Sequence, residues 1–266
     1  MGANIWAVVA VVVASASGTA QLPSVTEVPL TFRDRQPFIP VRTAGHSFLL
    51  QLDLGADDDL GLTAAALRAV RLESVAGTSR HQDIKGHLIQ ERRFQVPELQ
   101  IGGLILHDVQ GTEQMDDPSF HRPLGWEGHI GQNLLKAYAV AVDYRAKRLT
   151  LSGNSGEGRC TGNPVSFLPE WKGQAVTTVK TDLGPLTLFW DTGAPVTLVH
   201  SERLGVNLDH LTSQHFVMEE VDFGPVELVG FEFSQPPGID GFVGYNFFAV
   251  NGVCFDFPQS RLLVRR

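Results

Sequence analysis

Across 266 residues the chain is 43% hydrophobic and 19% charged, ordinary for a globular protein and long enough for two small β units with separate cores. Its 21 basic and 29 acidic residues leave a net charge of −8, and no basic run occurs, which argues against nucleic acid or an anionic membrane surface as partner. The terminal Arg265-Arg266 reads as a solvated tail.

The opening stretch differs in kind from the rest. Residues 5–14 form an unbroken apolar run, followed by the small residues 15–20. That predicts a secretory signal peptide over 1–20, cleaved after Ala20 or Ala16, and the run is too short to span a bilayer. The mature chain is then expected to be secreted or periplasmic, with no membrane association after cleavage. Residues 1–4 carry no Lys or Arg, which keeps an uncleaved anchor as the alternative.

Val28, Leu30 and Phe32 alternate with polar residues, as in a half-buried strand. Residues 38–41 and 47–52 predict a hairpin across Ala44-Gly45-His46, ending on the turn Asp53-Leu54-Gly55-Ala56. The acids Asp57, Asp58 and Asp59 that follow read as a solvated loop. Residues 63–73 predict a short helix, with Ala64, Leu67, Ala69 and Val70 available for burial. An exposed polar hairpin is expected over 80–94, turning at Lys85 and Gly86, and a second hairpin over 96–106 about Gly102-Gly103. Trp126 is read as a core residue, with a place lining the cleft as the alternative. Residues 153–164, rich in Gly, Ser and Asn, are the linker, after which Val165 and Phe167 open a second unit as Val28 and Leu30 opened the first.

That second unit repeats the first. The apolar strand and turn at Phe189-Trp190-Asp191-Thr192-Gly193-Ala194 echo those that end on Asp53, with Thr192 where the earlier copy has Leu54. Val41 and Val179 each lie 12 residues before the aspartate. Farther on, Gly128-His129-Ile130-Gly131-Gln132-Asn133 matches Gly241-Phe242-Val243-Gly244-Tyr245-Asn246, and at the same offset of 113 Asp143-Tyr144 matches Asp256-Phe257. Five matched features in one order indicate an ancestral unit of about a hundred residues present twice. The interval between the aspartate and the second glycine is 78 residues in the first copy and 53 in the second, so the hairpin at Lys85 and Gly86 is extra to the first unit.

An apolar strand, Asp-Thr-Gly-Ala, and then two apolar residues, Gly and Asn resemble the retropepsin and pepsin-like aspartic peptidases. The resemblance covers nearly everything after residue 25 and implies a mostly β, bilobed pepsin-like acid protease fold, two tandem retropepsin-like lobes around a pseudo-twofold cleft. The units then run 1–20 signal peptide, 21–155 first lobe with its flap, 156–173 linker and first strand of the second unit, and 174–266 second lobe. It further implies that Lys85 and Gly86 lie on a flap, although this segment lacks the tyrosine such flaps usually carry. Ala56 and Ala194 are similar to retropepsins, which implies activity at weakly rather than strongly acidic pH.

Two carboxylates brought together cannot both ionise cheaply, so Asp53 and Asp191 are expected to share a proton, activate a water and protonate a substrate carbonyl without a covalent intermediate. In the family the Thr or Ser after each aspartate bonds the opposite turn. Thr192 fits that role and Leu54 does not. Gly55, Ala56, Gly193 and Ala194 support the two turns, Gly131 and Gly244 let backbone cross beneath them, and Asn133 and Asn246 are expected to begin short helices. The expected function is an exported endopeptidase acting on peptides or unfolded protein, as a monomer. The alternative, prompted by Leu54, is a catalytically weak or inactive relative that binds peptides or a partner protein. No cofactor is expected, and the nine histidines offer no zinc spacing, so no metal is expected either. Cys160 and Cys254 are the only cysteines; export would permit a bridge, but sequence does not give their separation, so paired and free states both stay open.

Overall fold

The computed structural model describes residues 25–72, 74–114, 123–153, 160–205, 209–234 and 236–266. The expected signal peptide and half of the expected linker, residues 154–159, lie outside them. The chain is mostly β. The first half supplies β1 (Val25–Pro29), β2 (Thr31–Arg33), β3 (Gln36–Thr43), β4 (His46–Asp53), β5 (Leu60–Thr63), β6 (Ser74–Gln82), β7 (Leu88–Ile101), β8 (Leu104–Gln114), β9 (Gly128–Gly131), β10 (Tyr138–Asp143) and β11 (Arg148–Gly153). The second supplies β12 (Asn163–Ser166), β13 (Val176–Thr181), β14 (Gly184–Trp190), β15 (Leu198–His200), β16 (His210–Ser213), β17 (Phe216–Met218), β18 (Val221–Asp222), β19 (Val226–Phe231), β20 (Gly241–Val243), β21 (Gly252–Asp256) and β22 (Arg261–Arg265).

Local chemistry accounts for the best-defined elements. In β4, Phe48, Leu50 and Leu52 point to one side and are buried, the period of two expected of a strand. The β3–β4 hairpin closes through Ala44 and Gly45 at φ 47° and 77°, the positive pair that a two-residue turn needs to match strand twist. Helix α1 (Ala64–Val70) is shorter than the sequence suggests: the Thr63 hydroxyl caps it by accepting from Ala66 N–H at 3.2 Å, and Arg71 ends it in the left-handed region.

The duplication in sequence is a duplication in topology. One eight-stranded sheet contains the run β3-β4-β9-β5-β8-β7, and the other contains β13-β14-β20-β15-β19-β16. In both, the strand bearing the aspartate runs parallel to the later glycine-rich strand, β4 with β9 and β14 with β20, and that strand is antiparallel to its other neighbour, β5 or β15. The first copy alone adds β6, which forms with β7 the long hairpin turning at residues 83–87. The third sheet, β1-β11-β10-β21-β22-β12, reads the same from either end. At its centre β10 and β21 pair antiparallel, Ala141 opposite Cys254. A continuous apolar core draws on both halves, from Val28, Leu54 and Tyr144 to Trp190, Phe247 and Val264.

Two local expectations are corrected. Asn133 and Asn246 do not cap the short helices α2 (Gln132–Leu135) and α4 (Tyr245–Phe248); Gly131 and Gly244 hold the cap positions. The asparagines work from inside the first turn instead. Asn246 Oδ1 accepts from the N–H and hydroxyl of Thr197 at 2.8 and 2.7 Å, and Asn133 Nδ2 donates to the Asp57 carbonyl. Arg265 and Arg266 are exposed, as expected, but not a free tail: Arg265 belongs to β22 and bonds Asp143 at 3.1 Å, and Arg266 lies over the Phe223 ring.

Candidate active site

Strands β4 and β14 end on matching turns, and the two turns face each other. The carboxyl of Asp53 lies against Gly193 and that of Asp191 against Gly55, so each acid reaches the opposite turn. Each also takes backbone N–H groups of its own turn: Asp53 Oδ1 accepts from Gly55 and Ala56 at 3.0 and 3.2 Å, and Asp191 Oδ1 from Gly193 at 2.7 Å. The glycines are required by this approach. A Cβ on Gly193 would stand 2.7 Å from Asp53 Cγ, and one on Gly55 would collide with Asp191. Gly131 and Gly244 likewise lie against the carbonyls of Asp58 and Val196, where a side chain has no room.

Thr192, fully buried, ties the turns together across the halves. Its hydroxyl donates to the Leu52 carbonyl at 2.7 Å and accepts the Leu54 N–H at 2.9 Å. Leu54 returns neither bond, and its side chain is buried in the core. Of the two residues that follow the aspartates, only Thr192 makes the bridging bonds. Thr192→Val should leave the buried Leu54 N–H unpaired and cost about 1–3 kcal/mol, read as a lowered denaturant midpoint with an unchanged slope.

Burial, with the Asp53 charge second, pushes the Asp191 carboxyl well above the usual carboxylate range, against the pull of its own turn's N–H groups. The same two carboxylates, after burial, push the Tyr144 phenol well up. A carboxyl kept protonated beside a second carboxyl makes a pair able to give one proton and take another.

The hairpin bearing Lys85 and Gly86 reaches the second half. Asp83, buried, organises its tip by accepting from Lys85 and His87 N–H at 3.0 and 2.7 Å and from the His87 ring at 2.9 Å, while Gly86 turns at φ 83°. Ser234 N–H then donates to the Ile84 carbonyl at 2.8 Å. The Ile84 side chain packs on Val176, Phe189, Phe233 and Ile239. Phe189 sits two residues before Asp191 on β14, so this apolar cluster lies on the strand face that carries the carboxylate. Ile84→Ser should loosen the tip and make residues 83–87 a preferred cut site in limited proteolysis, with the thermal midpoint nearly unchanged.

No protein-family model matches the chain, and no curated protein does. The arrangement has to be judged on its own geometry.

Several neighbours were not foreseen from the sequence. Asp58 is only partly exposed and is paired: His129 Nε2 lies 2.8 and 3.0 Å from its two oxygens, and Trp126 stacks on the imidazole with ring centroids 6.1 Å apart. Burial raises the Asp58 carboxyl, but the charge and hydrogen bond of His129 together outweigh it and hold the group below its ordinary value. Such a depressed acid contributes stability above the ordinary carboxylate range that is lost as pH falls through its folded value. The available signal was His129 itself, a polar residue where the second copy has Phe242. Trp126, read as core, is half-buried and donates its indole N–H to Gln51 at 2.8 Å, on the strand face that carries Asp53. Gln36 and Tyr144, also missed, reach the Asp191 turn. Cys160 and Cys254 are joined in a disulfide, Cα atoms 5.6 Å apart. Among the described residues no group of three or more His, Cys, Asp or Glu is placed to hold a metal ion.

Proposed function

We propose that this chain is an aspartic endopeptidase of the retropepsin and pepsin-like kind, bilobed, with one catalytic acid from each lobe. The observation that carries the reading is the facing of Asp53 and Asp191, each carboxyl against the glycine of the opposite turn, at the ends of equivalent strands in a duplicated topology. With Asp191 holding the shared proton, Asp53 takes a proton from a water bound between them, and the water oxygen attacks the peptide carbonyl carbon. Asp191 gives its proton to the carbonyl oxygen, forming a gem-diol. Asp53 then gives the proton it took from water to the amide nitrogen, Asp191 takes a proton from a diol hydroxyl, the C–N bond breaks to give acid and amine, and the pair returns to its starting state. The extended substrate lies between the two sheets under the hairpin at Lys85 and Gly86, which excludes water when closed.

Both acids come from one chain, so a monomer suffices. The Cys160–Cys254 bridge agrees with export to an oxidising compartment, secreted or periplasmic, as the apolar run at 5–14 suggests. No helix among the described residues is long and apolar enough to cross a membrane. A second reading, a peptide-binding relative with little activity, is favoured by Leu54 and by the flap tip seated on the second half. Incubating the purified protein with a denatured protein from about pH 3 to 8, with cleavage sites mapped by mass spectrometry, separates the two. Cleavage supports the peptidase; saturable peptide binding with every bond intact gives the second reading.

A further inference from the structure

The turn carrying Asp191 is held from the first half at two points that the repeat does not duplicate. The Tyr144 hydroxyl donates to the Thr192 carbonyl at 3.4 Å, and Gln36 Nε2 donates to the Gly193 carbonyl at 3.0 Å. The Thr192 carbonyl belongs to the peptide unit whose N–H, that of Gly193, bonds the Asp191 carboxyl, so hydroxyl, peptide 192–193 and carboxylate lie in series. The Gly193 carbonyl belongs to the next unit, whose N–H, that of Ala194, closes the turn on the Asp191 main-chain carbonyl at 3.3 Å, so Gln36 holds the turn's backbone. A bond accepted at a peptide oxygen polarises the unit and makes its N–H a stronger donor.

Both donors are buried, and the fold keeps Gln36 at a cost, because its Oε1 is enclosed with no partner among the described residues. The opposite turn has no equivalent. Tyr144 is matched by Phe257, which has no hydroxyl, and Gln36 by Gln174, only half-buried, with no bond to the Asp53 turn among the described residues. The asymmetry coincides with the other one at this site, the missing hydroxyl at Leu54.

We propose that Tyr144 and Gln36 are positioning residues that fix the Asp191 carboxyl, Tyr144 by strengthening the Gly193 N–H that bonds it and Gln36 by holding the backbone of the same turn, supplying from the first half the hold that Leu54 does not. Their importance to catalysis rests on the reading of Asp53 and Asp191 as the acid–base pair; their effect on the carboxyl does not. The titratable groups facing Asp191 are Asp53 across the interface and Tyr144 itself, with Tyr245 behind Tyr144 at a ring separation of 5.7 Å.

The test is a carboxyl-carbon NMR titration of protein labelled with 13C-aspartate, the Asp191 signal being assigned by its loss in Asp191→Asn. Tyr144→Phe and Gln36→Leu should each move its midpoint to higher pH by about half a unit, and the double variant by about one unit. If wild type cleaves peptides, kcat should fall severalfold with KM unchanged, and the alkaline limb of the pH–rate profile should move up in step. Absence of cleavage would fail the peptidase reading alone, since the titration needs no turnover. Midpoints unmoved in both variants, with or without a fall in kcat, overturn the proposal; an unmoved midpoint in one removes that residue from it.

Discussion

Asp191→Asn is expected to abolish peptide hydrolysis and, at neutral pH, to make the protein more stable. The loss follows from the chemistry: an amide neither donates the carboxyl proton nor accepts one, and removing a positioned acid or base costs on the order of 10³–10⁴ in rate. The gain follows from linkage. Burial and Asp53 hold the Asp191 carboxyl well above its ordinary value in the folded state. Between the ordinary carboxylate range and that raised value the folded chain keeps a proton that the unfolded chain has lost. Stability therefore falls as pH rises through this window, and the deficit is complete above it. Asparagine has no such deficit. Thermal midpoints of wild type and variant should coincide below about pH 3 and diverge in the variant's favour toward pH 7. A variant that still cleaves at the wild-type rate removes Asp191 from the mechanism. A variant that is inactive but less stable at pH 7 than wild type shows that the carboxyl was supporting the fold rather than straining it.

Removing the disulfide should be the largest single loss of stability. Cys160 and Cys254 are 94 residues apart in sequence, and a bridge over a loop of that length removes much of the freedom of the unfolded chain, with losses of about 2–4 kcal/mol typical. Cys254 is also buried, with Ala139 and Leu263, beside the central β10–β21 pair, so the bridge fastens the entry to the second unit onto the seam between the halves. Cys160→Ser combined with Cys254→Ala should lower the melting temperature by roughly 4–16 °C, at about 2–4 °C per kcal/mol for a chain of this size. Dithiothreitol should produce the same drop in wild type and none in the double variant. Equal melting points for oxidised and reduced wild type would show that the cross-link does not constrain the unfolded chain.

What the sequence disclosed was mostly local or repeated. The alternation in Phe48, Leu50 and Leu52, the Ala44-Gly45 turn and the Gly102-Gly103 hairpin each follow from neighbouring residues, and the two aspartate turns declared themselves by recurring. The insertion of β9 between β4 and β5 has no local signature, since it depends on a segment some 75 residues away finding its slot. The Asp58–His129 pair was hidden for the same reason, although a histidine in an otherwise apolar motif was a visible irregularity. Three adjacent acids look solvated until a partner distant in sequence is known. Tyr144 against Phe257 was a second irregularity, and it gains meaning only when the hydroxyl is seen to reach the other half. The Cys160–Cys254 bridge could be named but not decided, because two cysteines define one pairing without defining a distance.

The sheet that reads the same from both ends bears on how this molecule is free to vary. Where identical protomers meet about an axis, every substitution is made twice, so a change that only one side tolerates is lost. Here β10 and β21 meet about the same kind of axis but are encoded separately, and each can drift without its twin. Leu54 opposite Thr192, and Tyr144 opposite Phe257, are differences that a symmetric dimer has no means of holding.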